Sequence, residues 1–211
     1  MSVTPIQSRV VVIIKAMPNP SQKYGETVCC AGITPEGKWK RLYPVRFRNL
    51  GEKKFARWNW LDFAYRLPDR DNRVESCHVY EDRMSVSGTL AQKQRANFLN
   101  PLTLASTDEA AARGMSLTLI RPSDTKFFYK RKRPQDIDAE RAAYQHAARQ
   151  KSMLDKEIAA FEPVPFLFMF SYRDASGKHS MRCGDWETSA AYYNLSKKYG
   201  EQGALDHLWK M

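Results

Sequence analysis

Arg9-Val-Val-Val-Ile-Ile-Lys15 is the stretch that decides the fold of the first half of the chain. Its β-branched residues form an unbroken apolar run, which is typical of a strand buried on both faces. Met17-Pro-Asn-Pro-Ser21 follows directly, and its two prolines predict that the strand ends in a turn. The chain is therefore expected to open with a central strand of a sheet.

Four further strands are predicted within the first eighty residues, at 27–33, 38–43, 58–66 and 76–80. Thr34-Pro-Glu-Gly37 separates the first two, and its proline and glycine positions match a tight turn. Short strands with short connections favour an antiparallel β-sheet or a small barrel of the OB or SH3 type. We expect this barrel-like module to span residues 1–86.

The second half of the chain has a helical pattern. We predict a helical segment at 87–161 that contains one strand at 115–120 and a basic linker near 121–134. Within it, Ser106-Thr-Asp-Glu109 is a capping box, and the longest helix is predicted at 138–161. Residues 162–211 are expected to form a β-hairpin and C-terminal helices, with Asp185 as a helix cap. The predicted class is α+β, packed as one globular unit.

Composition restricts the class of protein. The chain has 211 residues and a net charge of +11, which favours a polyanionic partner. No apolar run approaches the roughly 20 residues that cross a bilayer, and the N-terminus has no pattern of a secretory signal. We therefore expect a cytoplasmic protein with no membrane partner. Four cysteines without a C-x-x-C pair predict reduced thiols.

The positive charge is concentrated in two short segments. Residues 38–57 carry eight basic residues against one acidic residue, and residues 121–133 carry six against one. Both segments also contain aromatic residues, including Tyr43, Phe127, Phe128 and Tyr129. Basic side chains neutralise phosphates and exposed rings stack on bases, so the combination favours single-stranded or distorted DNA or RNA. Alternatively, the aromatic residues face the core and the basic residues face water.

Thirteen residues are the candidate contacts to nucleic acid. They are Tyr24, Lys38, Lys40, Arg41, Tyr43, Arg46, Arg48, Arg73, Lys126, Lys130, Arg131, Lys132 and Arg133. The last four form a basic run that is expected to add non-specific affinity as a mobile arm, or to be a solvated linker.

Four stretches resemble a prokaryotic family of hypothetical proteins: Tyr24-Gly-Glu-Thr-Val-Cys-Cys-Ala-Gly-Ile33, Gly37-Lys-Trp-Lys-Arg-Leu-Tyr-Pro-Val-Arg-Phe-Arg48, Arg73-Val-Glu-Ser76 and Asp185-Trp-Glu187. The resemblance covers most of the chain and implies no particular activity. It suggests a role in defence against foreign DNA or in mobile-element biology. Relatives carry a Cys and His cluster before the last element, whereas this chain has only His179 and Cys183 there.

Two alternatives to a binding module remain open. Asp62, Glu75, Asp185 and Glu187 could hold Mg²⁺ in a nuclease, although the favoured interpretation is that Asp62 and Glu75 pair with arginines on neighbouring strands. Asp185 and Glu187 would then serve a helix N-terminus. We expect neither a zinc site nor another cofactor, since adjacent Cys77 and His78 diverge on a strand. The second alternative is an adaptor subunit that docks an acidic protein partner.

Overall fold

The computed structural model describes residues 4–21, 25–149 and 161–210, with the side chains of 19–21, 25–26 and 47–49 left out. Its strands are β1 (Ile6–Lys15), β2 (Asn19–Ser21), β3 (Gly25–Ile33), β4 (Trp39–Val45), β5 (Asn59–Arg66), β6 (Ser76–Thr89), β7 (Thr103–Leu104), β8 (Leu119–Ile120), β9 (Ser123–Arg131), β10 (Phe166–Asp174) and β11 (Gly177–Arg182). Its α-helices are α1 (Gln92–Leu99), α2 (Thr107–Ala112), α3 (Pro134–Arg149) and α4 (Trp186–Trp209). Short 3-10 helices cover Phe47–Lys53 and Asn100–Leu102.

These elements form two compact units. The first unit comprises Met1–Lys15, Thr27–Arg121 and Asp174–Ser176, and the second comprises Ala16–Glu26, Pro122–Arg173 and Gly177–Met211. The predicted α+β class is confirmed, since a mixed sheet is followed by helices and then by antiparallel strands with a last helix. No helix in the described ranges is both long and apolar enough to cross a membrane.

The first unit is a closed five-stranded barrel. β1 pairs with both β3 and β5, β5 pairs with β6, and β4 lies between β6 and β3. Around the ring, the strands follow in the order β1, β3, β4, β6, β5 and back to β1. If the five strands are numbered 1 to 5 along the chain, this order is 1-2-3-5-4-1, which is the order of an OB barrel. The pairing of β4 with β6 is parallel. Four of the five pairings are antiparallel, as expected, and the sheet is mixed because β6 pairs with β4 as well as with its hairpin partner β5.

Alternating side chains give the barrel an inner and an outer layer. Val10 and Leu61 are opposite each other and fully buried, and Val12 lies opposite Gly32. The outer layer includes Val11, Ile33 and Trp39, against which residues from the segment 90–119 pack. This segment covers one side of β1, β3 and β4, so only part of the outer surface of the barrel is open.

The second unit is an antiparallel sheet in the order β9, β10, β11, with α4 packed on one face. Phe166 and Phe168 contact Tyr192, Leu205 and Leu208 of that helix. The predicted hairpin is confirmed, with Ala175 and Ser176 as its two-residue turn. The basic linker expected near 121–134 is instead largely β9, because its backbone pairs with β10 from Arg131 to Ser123.

Helix boundaries follow the capping residues. Ser106 accepts a hydrogen bond from the Glu109 backbone N–H at 3.1 Å, and Asp185 accepts one from that of Glu187 at 3.2 Å, as the two predicted caps require. The longest predicted helix begins at Pro134 rather than 138, since proline is favoured in a first helical turn. Phe161 lies outside a helix, and residues 150–160 lie outside the described ranges.

Candidate nucleic-acid interface

The open part of the barrel surface is formed where β3, β4 and the start of β6 lie side by side. Arg41 lies opposite Ala31 on one neighbour and opposite Ser76 on the other, and Tyr43 lies opposite His78. Residues opposite each other share a face of a sheet, so Arg41, Tyr43, Ser76 and His78 lie on one face. Together with Arg73 of the loop before β6, we call them the open barrel face. Tyr43 and Arg73 are its exposed members, Arg41 and His78 are half-buried, and Ser76 is buried. Three of the four stretches that carry the family resemblance meet here, although they are far apart in sequence.

Arg41 is the central cation of the open barrel face. Its guanidinium donates a hydrogen bond to the Ser116 hydroxyl at 3.1 Å and lies 3.8 Å from the Cys29 sulfur. Its Nε is buried and has no hydrogen-bond partner. Within the described ranges, both contacts are with neutral groups and no carboxylate forms an ion pair with it. The positive charge of Arg41 is therefore not neutralised by a carboxylate among the described residues.

Arg73 lies in the loop before β6 and is held by Asp71. Its Nε donates to Asp71 at 2.8 Å, and the Ser76 hydroxyl donates to the same carboxylate at 2.6 Å. These hydrogen bonds, from Arg73 first and Ser76 second, hold the pKa of Asp71 well below its usual range. About half of the Arg73 side chain remains exposed. Asp71 thus links Arg73 to Ser76, which lies opposite Arg41, and it balances the charge of Arg73.

Glu75 is linked to Arg41 through Ser116. This carboxylate is buried and accepts hydrogen bonds from the Ser116 backbone N–H at 2.6 Å and from the Ser116 hydroxyl at 3.2 Å. Burial would raise the pKa of Glu75, but the hydrogen bonds from Ser116 outweigh it and the pKa is lowered. The expected pairing of Glu75 with an arginine is therefore wrong: the ionised side chain fixes Ser116, which in turn holds the Arg41 guanidinium.

Tyr43 supplies an aromatic ring on the same surface. Its side chain is 40% exposed, which is unusual for a large ring on a barrel strand, and its hydroxyl accepts a hydrogen bond from Thr27 at 3.4 Å. The exposed ring and the Arg41 guanidinium lie two residues apart on β4, so both project from one face of the strand.

The other candidates near the barrel are arranged differently. Arg46 forms an ion pair with Glu81 at 2.8 Å, Lys38 is exposed in the turn before β4, and the Lys40 amine donates to the Tyr65 hydroxyl at 3.2 Å. Lys40 lies opposite Gly32, on the inner side of its strand, so it is not part of the open barrel face. Tyr24 and the side chain of Arg48 lie outside the described residues.

Three of the six basic residues of the second segment are neutralised by acidic side chains. Arg131 pairs with Glu201, Lys132 with Glu140, and Arg133 with Asp136. Lys130 and Arg131 belong to β9, and Lys132 and Arg133 connect it to α3. Phe127 stacks on Phe168 in the core against α4. Only Lys126 and Lys130 of the predicted contacts here are exposed and lack an acidic partner in the described ranges.

The candidate catalytic carboxylates have structural partners. Asp62 pairs with Arg9 on the neighbouring strand at 3.4 Å, as the ion-pair interpretation expects, and Asp185 and Glu187 lie at the N-terminus of α4. No three His, Cys, Asp or Glu side chains among the described residues are close enough to share a metal ion. Burial raises the pKa of the Cys77 thiol to about 11, so this group is protonated at neutral pH.

Comparison with known proteins gives a family for the chain. Residues 6–101, which contain the barrel, match the family model described as Domain of unknown function (DUF8758). Residues 100–210 match a second family model, and the two meet in the 3-10 helix Asn100–Leu102. No curated protein and no solved structure matches the chain. Because the second family model covers more than half of its length, the chain belongs to the family described as Domain of unknown function (DUF8757).

Proposed function

We propose that the protein binds single-stranded nucleic acid on the open barrel face. The observation that carries the proposal is the pair of Arg41 and Tyr43 on β4: a guanidinium with no acidic partner in the described ranges beside a 40% exposed ring. In OB barrels, the second and third strands and the loop between the fourth and fifth strands bind oligonucleotides. Here these are β3, β4 and residues 67–75, which contain Arg73.

Each group of the open barrel face has a role in this proposal. The Tyr43 ring stacks on one base, which contributes about 1–3 kcal/mol in proteins of this kind. The Arg41 guanidinium binds a phosphate or a base edge, and the Ser116 and Glu75 contacts keep it in place. Arg73 contributes less, because it already pairs with Asp71. The net charge of +11 attracts the polyanion and makes binding depend on salt.

The biological setting of this proposal rests on the resemblance alone. We place the binding activity in the cytoplasm of a prokaryote, in defence against foreign DNA or in mobile-element biology. The carboxylates next to the open barrel face, Asp71 and Glu75, already accept hydrogen bonds from Arg73, Ser76 and Ser116, which favours a binding module over a nuclease.

Fluorescence anisotropy with single-stranded and double-stranded DNA and RNA tests the proposal. We expect tighter binding of single strands, a steep loss of affinity with salt, and intact oligonucleotide after incubation with Mg²⁺. Cleavage that Asp or Glu substitutions abolish would select the nuclease instead. No binding at low salt, with capture of an acidic protein, would select the adaptor.

A pair of variants at one position isolates stacking. Tyr43→Ala removes the ring and Tyr43→Phe keeps it while removing only the hydroxyl. We expect the alanine variant to bind single strands about tenfold more weakly, because one stacked base is lost, and the phenylalanine variant to bind within about twofold of the wild type. Equal binding by both variants would remove Tyr43 from the interface.

A further inference from the structure

The second unit contains a polar pocket that is separate from the open barrel face. It has a volume of about 250 Å³ and is lined by Asp124, Lys126, Ser171, Tyr172, Arg173 and Lys178. The lining residues come from all three strands of the antiparallel sheet, so the pocket is built on regular structure rather than on a loop. Of these six residues, the sequence had indicated only Lys126.

A bulge brings the cations of the pocket together. Ser171 lies opposite Lys126, but the register shifts between Ser171 and Arg173, and Asp124 adopts a left-handed backbone conformation with φ of 50°. Bulges redirect neighbouring side chains. The two-residue turn that follows β10 places Lys178 on β11 opposite Arg173. Like charges directly opposite each other on neighbouring strands repel, so this arrangement is stabilised when an anion lies between them.

Among the described residues, acidic side chains balance the charge of the pocket only in part. Arg173 and Asp124 are 3.7 Å apart, which is an ion-pair distance but longer than a hydrogen bond. Lys126 and Lys178 form no ion pair with any acidic side chain in the described ranges. Three basic residues against one acidic residue leave the pocket with a net charge of about +2 at neutral pH.

We propose that this pocket binds a phosphate monoester, namely the terminal phosphate of a nucleic-acid strand. A monoester carries about −1.5 to −2 charges at neutral pH, whereas each internal phosphodiester carries one, so the end of a strand matches the pocket best. The volume of about 250 Å³ is below the ~300–1,000 Å³ of sites for drug-sized ligands, which suits a phosphate with its adjoining sugar. The assignment to a strand end rests on the proposed function, while the charge match does not.

Matched oligonucleotides test this inference. Short single strands with a 5′-phosphate, a 3′-phosphate or hydroxyls at both ends are titrated into the full chain, and adenosine monophosphate is titrated separately while backbone amides are followed by NMR. We expect one of the phosphorylated strands to bind at least tenfold more tightly than the hydroxyl strand, since charge-assisted hydrogen bonds to the extra phosphate are added. Amides of β9 and β11 should shift with the monophosphate.

A variant and its control identify the pocket as the source of that preference. Lys126→Gln combined with Lys178→Gln should abolish the preference for the phosphorylated strand, whereas Lys130→Gln, an exposed lysine on the same strand, should preserve it. Equal binding of phosphorylated and hydroxyl strands by the wild type would overturn the inference and leave the proposed function intact. Shifts of the pocket amides without any oligonucleotide binding would contradict the proposed function and the assignment to a strand end, and would identify a free mononucleotide as the ligand.

Discussion

The open barrel face and the basic run from Lys130 to Arg133 have similar sequence patterns, but their basic side chains have different partners. Both combine basic residues with nearby aromatic residues. On the barrel, Arg41 contacts only neutral groups among the described residues and Tyr43 is exposed. In the second segment, Arg131 pairs with an acidic residue of α4, and Lys132 and Arg133 pair with acidic residues of α3.

From this difference we expect that the partner of a cation affects nucleic-acid affinity more than the number of cations does. An arginine that already pairs with a carboxylate must give up that contact to bind a phosphate, so its net contribution to affinity is small. An arginine held by a hydroxyl keeps its charge available. The comparison therefore predicts that substitutions with the same charge change have very different effects in the two regions.

Gly32→Ala should give the largest effect, because it disrupts the barrel that positions the first region. A Cβ atom at Gly32 would lie 2.7 Å from the Val11 carbonyl oxygen and 2.8 Å from Val10 Cγ2, where β3 closes against β1. Such overpacking destabilises proteins by about 3 kcal/mol. Chemical denaturation should show this loss. Gly184→Ala is the control, since its Cβ would meet nothing within 4 Å; equal stability of the two variants would contradict the closed barrel.

Arg41→Gln should weaken binding of single strands by about 2 kcal/mol, roughly thirtyfold, because a charge-assisted contact is lost. Arg133→Gln removes the same charge but breaks an exposed ion pair with Asp136, so its effect should be within about twofold. Anisotropy at one fixed salt concentration measures both. Equal effects would mean that affinity depends on net charge alone, and the distinction between the two regions would be wrong.

Gly200→Ala should act on the second unit only. Gly200 has a φ of 70° at the kink of α4, a conformation that costs alanine about 1 kcal/mol. We expect the melting temperature to fall by a few degrees, and we expect binding to the hydroxyl-ended single strand to be unchanged. A loss of that binding would show that the second unit contributes to the interface proposed for the barrel.

Asp71→Asn should give the smallest effect, visible as a change in pH dependence. The pKa of Asp71 is lowered by Arg73 and Ser76, so its contribution to stability is fully present above the unfolded pKa of about 3.9 and is lost as pH falls further. The wild type should exceed the asparagine variant in stability at pH 6, and the gap should narrow below pH 4. A gap independent of pH would mean that the Asp71 carboxylate makes no favourable contact in the folded protein.

Local sequence patterns predicted much of the fold. The apolar run from Val10, the turn at Gly37, the caps at Ser106 and Asp185 and the hairpin before His179 each depend on neighbouring residues, and each is present. The parallel pairing of β4 with β6 and the closure of β1 on β3 join distant segments. No local pattern encodes such pairings, so the mixed sheet was missed.

The candidate site was predicted less completely for the same reason. Arg41, Tyr43 and Arg73 were indicated by charge and aromatic content, but the role of Ser116 was not, because it reaches Glu75 and Arg41 from 41 and 75 residues away. The acidic partners of Arg131 to Arg133 lie partly on α4. Counting charges along the chain does not reveal them.

Photocrosslinking of a single strand containing 4-thiouridine, followed by mass spectrometry of the peptides, shows which of the two regions contacts nucleic acid. We expect crosslinks on β4 at Tyr43 and its neighbours, which diminish in Arg41→Gln, and none at Arg131 to Arg133. Crosslinks confined to the second basic segment, or spread evenly over all basic peptides, would contradict it.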